Sequence, residues 1–79
     1  MYYTYVLENL AGILYIGQTS DPDIRLNWHN DGKSRYTKNK GPWKLIYRKE
    51  FETRSEAIKY ERYLKSLKNP NYIRQHIIL

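Results

Sequence analysis

Aromatic, β-branched and aliphatic residues fill the chain from Tyr2 to Leu7, with Tyr3, Tyr5 and Leu7 on one face of an extended segment and Tyr2, Thr4 and Val6 on the other. This predicts a strand covered on both sides. Asn9 to Gly12 reads as a tight connection with Gly12 suited to positive φ, and Ile13 to Gly17 as the returning strand of a hairpin. A three-residue loop would set Tyr5 opposite Tyr15, whereas a slip of one residue would send the two rings to different faces. Trp43 to Phe51 alternates as a third strand, with Trp43, Leu45, Tyr47 and Phe51 expected to share a face.

Helical signals fall between and after these strands. Asp21 is a suitable N-cap, Pro22 fits the first helical position, and Asp23 places negative charge where the helix dipole favours it. The helix is expected to bury Ile24 and Trp28, to carry Arg25 and His29 on the adjoining stripe, and to stop near Asn30-Asp31-Gly32. Thr53-Arg54-Ser55-Glu56 is a capping box opening a second helix to about Lys68, with Ala57, Tyr60, Leu64 and Leu67 as its apolar stripe. Asn69-Pro70 caps a restart, and Tyr72 to Leu79 is expected to form a short last helix packing Ile73 and Ile77. Lys33 to Lys40 has no apolar period and reads as an exposed loop ending at Gly41-Pro42. The pattern is that of one small α/β domain over residues 1–79.

Charge narrows the partner class. Against 8 Asp and Glu stand 14 Lys and Arg, a formal net charge of +6, which favours polyanions. Seven of these cations lie between Lys33 and Lys49 with no acid among them. A charge run is often only a solvated surface, and ribosomal or membrane-surface proteins share this balance. Here Tyr36 and Trp43 are interleaved with the cations, so Lys33, Arg35, Tyr36, Lys38, Lys40, Trp43 and Lys44 are expected to hold phosphates while a ring stacks on a base. The absence of cysteine removes disulfides and thiolate zinc sites. With neither a secretory signal pattern nor an apolar run long enough to cross a bilayer, a cytoplasmic location away from the membrane is expected.

Chemistry is concentrated around Tyr15-Ile16-Gly17 and the helix that follows. Arg25 and His29 fall four residues apart on one helix face. Arg25 suits an anion, though an ion pair with Asp21 is also open to it; His29 suits proton transfer near neutrality, or a plain hydrogen bond to backbone. Tyr5 and Tyr15 are core residues unless nearby positive charge lowers a phenol toward working as a base. Glu61 lies at the margin of the second helix's buried stripe, where it either pairs with Lys65 four residues on or contributes an oxygen ligand to a divalent cation.

Together these pieces resemble the GIY-YIG nuclease family over nearly the whole chain. The second half of the family name stands unaltered as Tyr15-Ile16-Gly17, and the first half is represented by Tyr3-Thr4-Tyr5, where only the last tyrosine matches. The family's helix arginine maps to Arg25, its frequent histidine or tyrosine one turn later to His29, and its metal-binding glutamate to Glu61. The Gly41-Pro42-Trp43-Lys44-Leu45 run and Ser55-Glu56-Ala57 look like those of small stand-alone members related to the excision-repair nuclease domain. Gln18 stands where some relatives carry lysine, and a late family asparagine has two candidates, Asn69 and Asn71.

The resemblance implies a small three-stranded antiparallel sheet flanked by helices, and a metal-dependent endonuclease cleaving phosphodiester bonds in DNA, single-stranded or branched forms included. Glu61 would hold Mg²⁺ or Mn²⁺, Arg25 a phosphate oxygen, Tyr15 or else His29 would take the water proton, and Tyr5 would orient that water or its neighbouring ring. Specificity would come from the Lys33 to Lys49 surface, a homodimer or a protein partner. The alternative is a nucleic-acid-binding module on the same fold that does not cut.

Overall fold

The computed structural model describes residues 1–78. Strand β1 (Tyr2–Asn9) turns into β2 (Leu14–Thr19), helix α1 (Pro22–Asn30) follows, then β3 (Trp43–Phe51), helix α2 (Arg54–Leu67) and a short α3 (Pro70–Ile73) that continues as a π-helical turn over Arg74–Ile78. The sheet has three strands in the order β2-β1-β3, and both pairings are antiparallel. β1 is therefore central, which accounts for a strand apolar on both faces.

The local signals act as expected. The Asp21 side chain accepts from the backbone N–H groups of Asp23 and Ile24, both at 3.1 Å, and Pro22 occupies the first turn. Thr53 Oγ1 accepts from Glu56 N at 3.2 Å and donates to its carboxylate at 2.9 Å, closing the capping box. Gly12 turns the hairpin at φ 81°. The last helix begins earlier than the apolar spacing indicated, because the Asn69 side chain caps the N–H groups of Asn71 and Tyr72 and Pro70 is preset for the first turn. Ile73 is buried and Ile77 half-buried there; the expected end at Leu79 lies outside the described residues.

Three expectations are revised. Tyr5 pairs with Gly17 and Tyr15 with Leu7, so the hairpin is displaced by two residues from the Tyr5-opposite-Tyr15 register; an even shift keeps both rings on one face. In β3, Val6 pairs with Tyr47 but Leu7 pairs with Leu45, leaving Ile46 as the extra residue of a bulge. Trp43 and Leu45 consequently face α1 with Tyr5 and Leu7, while Tyr47 is sent to the α2 side, where its hydroxyl meets that of Tyr60 at 3.2 Å. Phe51 joins Tyr60 on that side, at a ring separation of 5.6 Å. Finally, α1 is rotated about its axis. Its buried residues are Pro22 and His29, whereas Ile24 is 67% exposed and Trp28 only half-buried. The stripe bearing Arg25 and His29 is the one that meets the sheet.

Each face of the sheet has its own apolar layer. Under α1 lie Tyr5, Leu7 and Trp43, with Tyr15, Leu26 and Leu45 packed against them. Under α2 the buried Val6, Ala57 and Leu64 close the other side, where Thr4 Oγ1 donates to the Ala57 carbonyl at 2.7 Å. The small Ala57 side chain lets helix and strand approach closely enough for that bond.

Candidate active site

The candidate residues meet at the β2 edge of the sheet. Tyr5 reaches across its cross-strand neighbour Gly17, so closely that a Cβ on Gly17 would stand 2.6 Å from the phenolic oxygen. The Tyr5 hydroxyl then shares a 2.9 Å hydrogen bond with His29 Nε2, and His29 Nδ1 shares one of 2.8 Å with Thr37 Oγ1. Tyr5 and His29 are each only 2% exposed. Tyr15 covers this pair, its ring centre 4.7 Å from that of His29 and 6.3 Å from that of Tyr5. The half-buried Tyr15 makes no hydrogen bond to protein through its hydroxyl among the described residues.

Electrostatics bind the remaining residues to this centre. The Tyr5 hydroxyl is pushed far above the usual phenol range, chiefly by burial and then by neighbouring Tyr15 and Glu61, with the Arg25 guanidinium opposing. It stays a neutral phenol. Burial, followed by the charge of Arg25, holds the His29 imidazole below its ordinary value. It stays neutral at physiological pH, and both of its nitrogens are engaged within the protein. His29 is thus neither bonded to backbone nor open to solvent; it supports Tyr5 from behind. Arg25 stacks at 4.7 Å over the Trp28 ring and forms no ion pair with Asp21 or any other carboxylate among the described residues. Its charge, without a carboxylate partner among the described residues, acts on both Tyr5 and His29.

Glu61 presents a carboxylate of low exposure whose Oε2 accepts from Lys65 Nζ at 2.6 Å. Its Oε1 has no protein donor among the described residues. Those residues contain no cluster of three or more His, Asp or Glu able to cage an ion. A single carboxylate with a free oxygen fits a hard cation such as Mg²⁺ or Mn²⁺ that takes most of its shell from phosphate and water. The exposed Lys65 is no obstacle, since a helix pair of this kind contributes only about 0.3–0.5 kcal/mol.

The basic loop divides. Lys33, Arg35, Lys38, Lys40 and Lys44 are all exposed, and Tyr36 is 53% exposed. Tyr36 stands beside Tyr15, with ring centres 5.7 Å apart, and Lys40 Nζ lies 4.1 Å from the Tyr36 ring centre. Trp43, expected to stack on a base, is instead 3% exposed within the α1-side core, and its indole N–H donates to the Thr37 carbonyl at 3.1 Å. It faces the interior because it opens β3 opposite Asn9 on the α1-facing side. Lys44, the next residue, pairs with Glu8 on the opposite face of the sheet and is separated from Tyr36.

Thr37 was hidden in a segment that reads as solvated loop. It is buried because the loop is fastened down on several sides. Asn30 exchanges hydrogen bonds with the Trp43 backbone at 2.7 and 3.1 Å, and Asn9 Nδ2 donates to the Lys40 carbonyl at 3.0 Å. Of the two late asparagines, Asn69 caps α3, and Asn71 accepts weakly from Arg74 at 3.5 Å. Gln18 lies on the α2-facing side of β2 opposite Thr4, with a buried Oε1 that has no donor among the described residues.

Comparison with known proteins bears on this geometry. The family model described as "GIY-YIG catalytic domain" matches residues 1–74, a span containing every residue of the site. The chain is 42% identical over 78 residues to the UPF0213 protein SAG0778 of Streptococcus agalactiae, covering 94% of this chain and 89% of that protein. It is 46% identical over 69 residues to a UPF0213 protein of Streptococcus pneumoniae, covering 86% and 70% respectively. Two solution NMR structures are similar. The protein EF2693 from E. faecalis is 38% identical with a TM-score of 0.65, covering 96% of this chain and 81% of that one. The UPF0213 protein BH0048 from Bacillus halodurans is 34% identical with a TM-score of 0.58, covering 95% and 82%. The chain belongs to the GIY-YIG catalytic-domain family, alongside small relatives that carry the UPF0213 name.

Proposed function

We propose that the protein is a divalent-metal-dependent endonuclease that hydrolyses phosphodiester bonds in DNA. One observation carries this reading: a guanidinium without a carboxylate partner, and a carboxylate oxygen and a phenol hydroxyl without protein partners among the described residues, surround the buried Tyr5–His29 pair, Tyr15 by ring contact and Arg25 and Glu61 by their charge on Tyr5. Arg25 binds a non-bridging oxygen of the scissile phosphate and neutralises charge as it develops there. Tyr15 orients the attacking water and, acting as its phenolate, takes the water's proton as the water oxygen bonds to phosphorus and the bond to the leaving oxygen breaks. His29 is shielded from this water and Tyr5 holds its own proton, so both serve to fix the Tyr15 ring. Glu61 would hold Mg²⁺ or Mn²⁺, which supplies Lewis-acid polarisation of the phosphate and stabilises the leaving oxygen.

The test is purified protein with Mg²⁺ on single-stranded, duplex and branched DNA, beside Glu61→Gln and Arg25→Ala. Both substitutions should reduce cleavage by at least about a hundredfold, the range typical of removing one electrostatic stabiliser. Cleavage that survives both, or that ignores a chelator, would overturn the mechanism. The Lys65–Glu61 ion pair favours a second reading, a nucleic-acid-binding module that does not cut, because it gives Oε2 of the carboxylate a partner other than a metal. That reading expects salt-sensitive binding, no metal-dependent product and no rise in Tm on adding Mg²⁺.

A further inference from the structure

A groove of about 460 Å³ runs from Tyr15 along the β2 edge to the C-terminal end of α2. Its apolar lining is drawn from Leu14, Ile16, Leu64 and Ile73, and Tyr36, Lys65 and Lys68 also line it. Among the described lining residues there is no carboxylate. A sheet edge lined this way is suited to a flat apolar body that carries negative charge at its margin. Peptides and lipid chains supply only part of that description, whereas a nucleotide supplies all of it: a base with π-faces and a phosphate on each side.

Tyr15 belongs both to the groove and to the candidate active site, so whatever lies in the groove adjoins the scissile phosphate. Tyr36 is held beside Tyr15 and bears Lys40 over its ring, which gives an exposed ring next to a positive charge. Lys65 bridges from the groove to Glu61. Lys68 is the C-cap of α2 and adopts the left-handed region at φ 52°, a conformation that favours glycine; a long cation lining the groove stands there instead.

We propose that this groove is a subsite for one unstacked base of the substrate strand, placed against Tyr36 beside the scissile phosphate, with Lys65 and Lys68 on the flanking phosphates. It rests on the nuclease reading only for the identity of the neighbouring phosphate. The subsite makes an unpaired nucleotide next to the cut a recognition element, which selects single strands and branched forms over intact duplex.

Base and backbone are separated by comparing a fluorescent oligothymidine with an abasic oligomer of the same length and charge, bound in EDTA so that nothing is cleaved. The wild-type protein should bind the thymidine strand about tenfold more tightly, as one stacked base accounts for. Tyr36→Ala, at an exposed position, should remove most of that preference, and Tyr36→Phe should keep it. Lys68→Gln should weaken both oligomers together and reduce the salt dependence of binding. Equal binding of the two oligomers by the wild type, or a Tyr36→Ala loss that is the same for both, would overturn the subsite. Glu61→Gln should retain the preference while losing cleavage. A preference found in a protein that cuts no DNA supports the subsite and overturns the nuclease reading, and cutting without preference does the reverse.

Discussion

Gly17→Ala isolates the contact on which the candidate site is built. Gly17 has no unusual backbone angle that reserves it for glycine; what reserves it is Tyr5, whose ring a new Cβ would meet at 2.6 Å from the hydroxyl oxygen, 2.7 Å from Cζ and 3.0 Å from Cε1. All three distances lie well inside van der Waals contact for these atoms. The ring cannot simply swing aside, since it is buried in the α1-side core and tied at its tip to His29. Overpacking by one methyl in a filled site costs about 1–3 kcal/mol, and loosening the Tyr5–His29 hydrogen bond adds about 1 kcal/mol. We expect a loss of about 2–4 kcal/mol; even 2 kcal/mol corresponds to a fall in Tm of roughly 8–16 °C in a chain of this size. Thermal and urea unfolding of Gly17→Ala, Tyr5→Leu and the double variant measure the coupling directly, because removing the ring should make the added methyl nearly neutral. If Gly17→Ala alone unfolds within about 0.5 kcal/mol of wild type, Tyr5 does not lie across Gly17 and the site's geometry must be redrawn.

His29 predicts a pH dependence of stability. Its native pKa is depressed by burial and by Arg25, so the unfolded chain binds the more protons; stability is fully present above about 6.5 and is lost as pH falls through the native value. Urea midpoints between pH 7.5 and pH 5 should show that decline at roughly these values, and a His29→Gln variant with the same slope would refute the assignment. Gln18→Met removes a buried acceptor that has no donor among the described residues and should raise stability by about 1 kcal/mol; a lower Tm would mean that Oε1 has a partner in solution. Lys68→Gly relieves a left-handed backbone and should stabilise by about 0.5–1 kcal/mol while weakening oligonucleotide binding, read by unfolding and by fluorescence anisotropy. A variant that gains stability with no loss of binding would show that Lys68 does not hold phosphate.

Much of the fold was legible in the chain because its signals are local. Asp21-Pro22, the Thr53 to Glu56 box and Gly12 each satisfy backbone groups within a few residues, and the structure uses them as read. The errors arose where the determinant is distant. The bulge at Ile46 is set by pairing across β1, so the alternation from Trp43 to Phe51 could not reveal that its faces exchange midway. The roll of α1, which exposes Ile24 and buries His29, is set by partners on β1 and in the loop before β3. Hydrophobicity favours the isoleucine; a histidine given two side-chain hydrogen bonds overrides it.

The same reasoning explains why the candidate site was legible as a set of residues but not as a division of labour. Tyr5, Tyr15, Arg25, His29 and Glu61 carry chemistry that a spacing argument can propose, yet spacing says nothing about which of them water can reach. That depends on Thr37 and Gly17. Thr37 engages the second His29 nitrogen, and Gly17 leaves the room through which Tyr5 reaches the first. With both nitrogens occupied, an imidazole chemically well suited to accept a proton becomes a fixed support, and in the proposed mechanism the outward duty passes to Tyr15, the ring that covers it. In that mechanism a threonine in a basic loop and a glycine in an edge strand decide which side chain faces the substrate, although neither carries a group that would react with it.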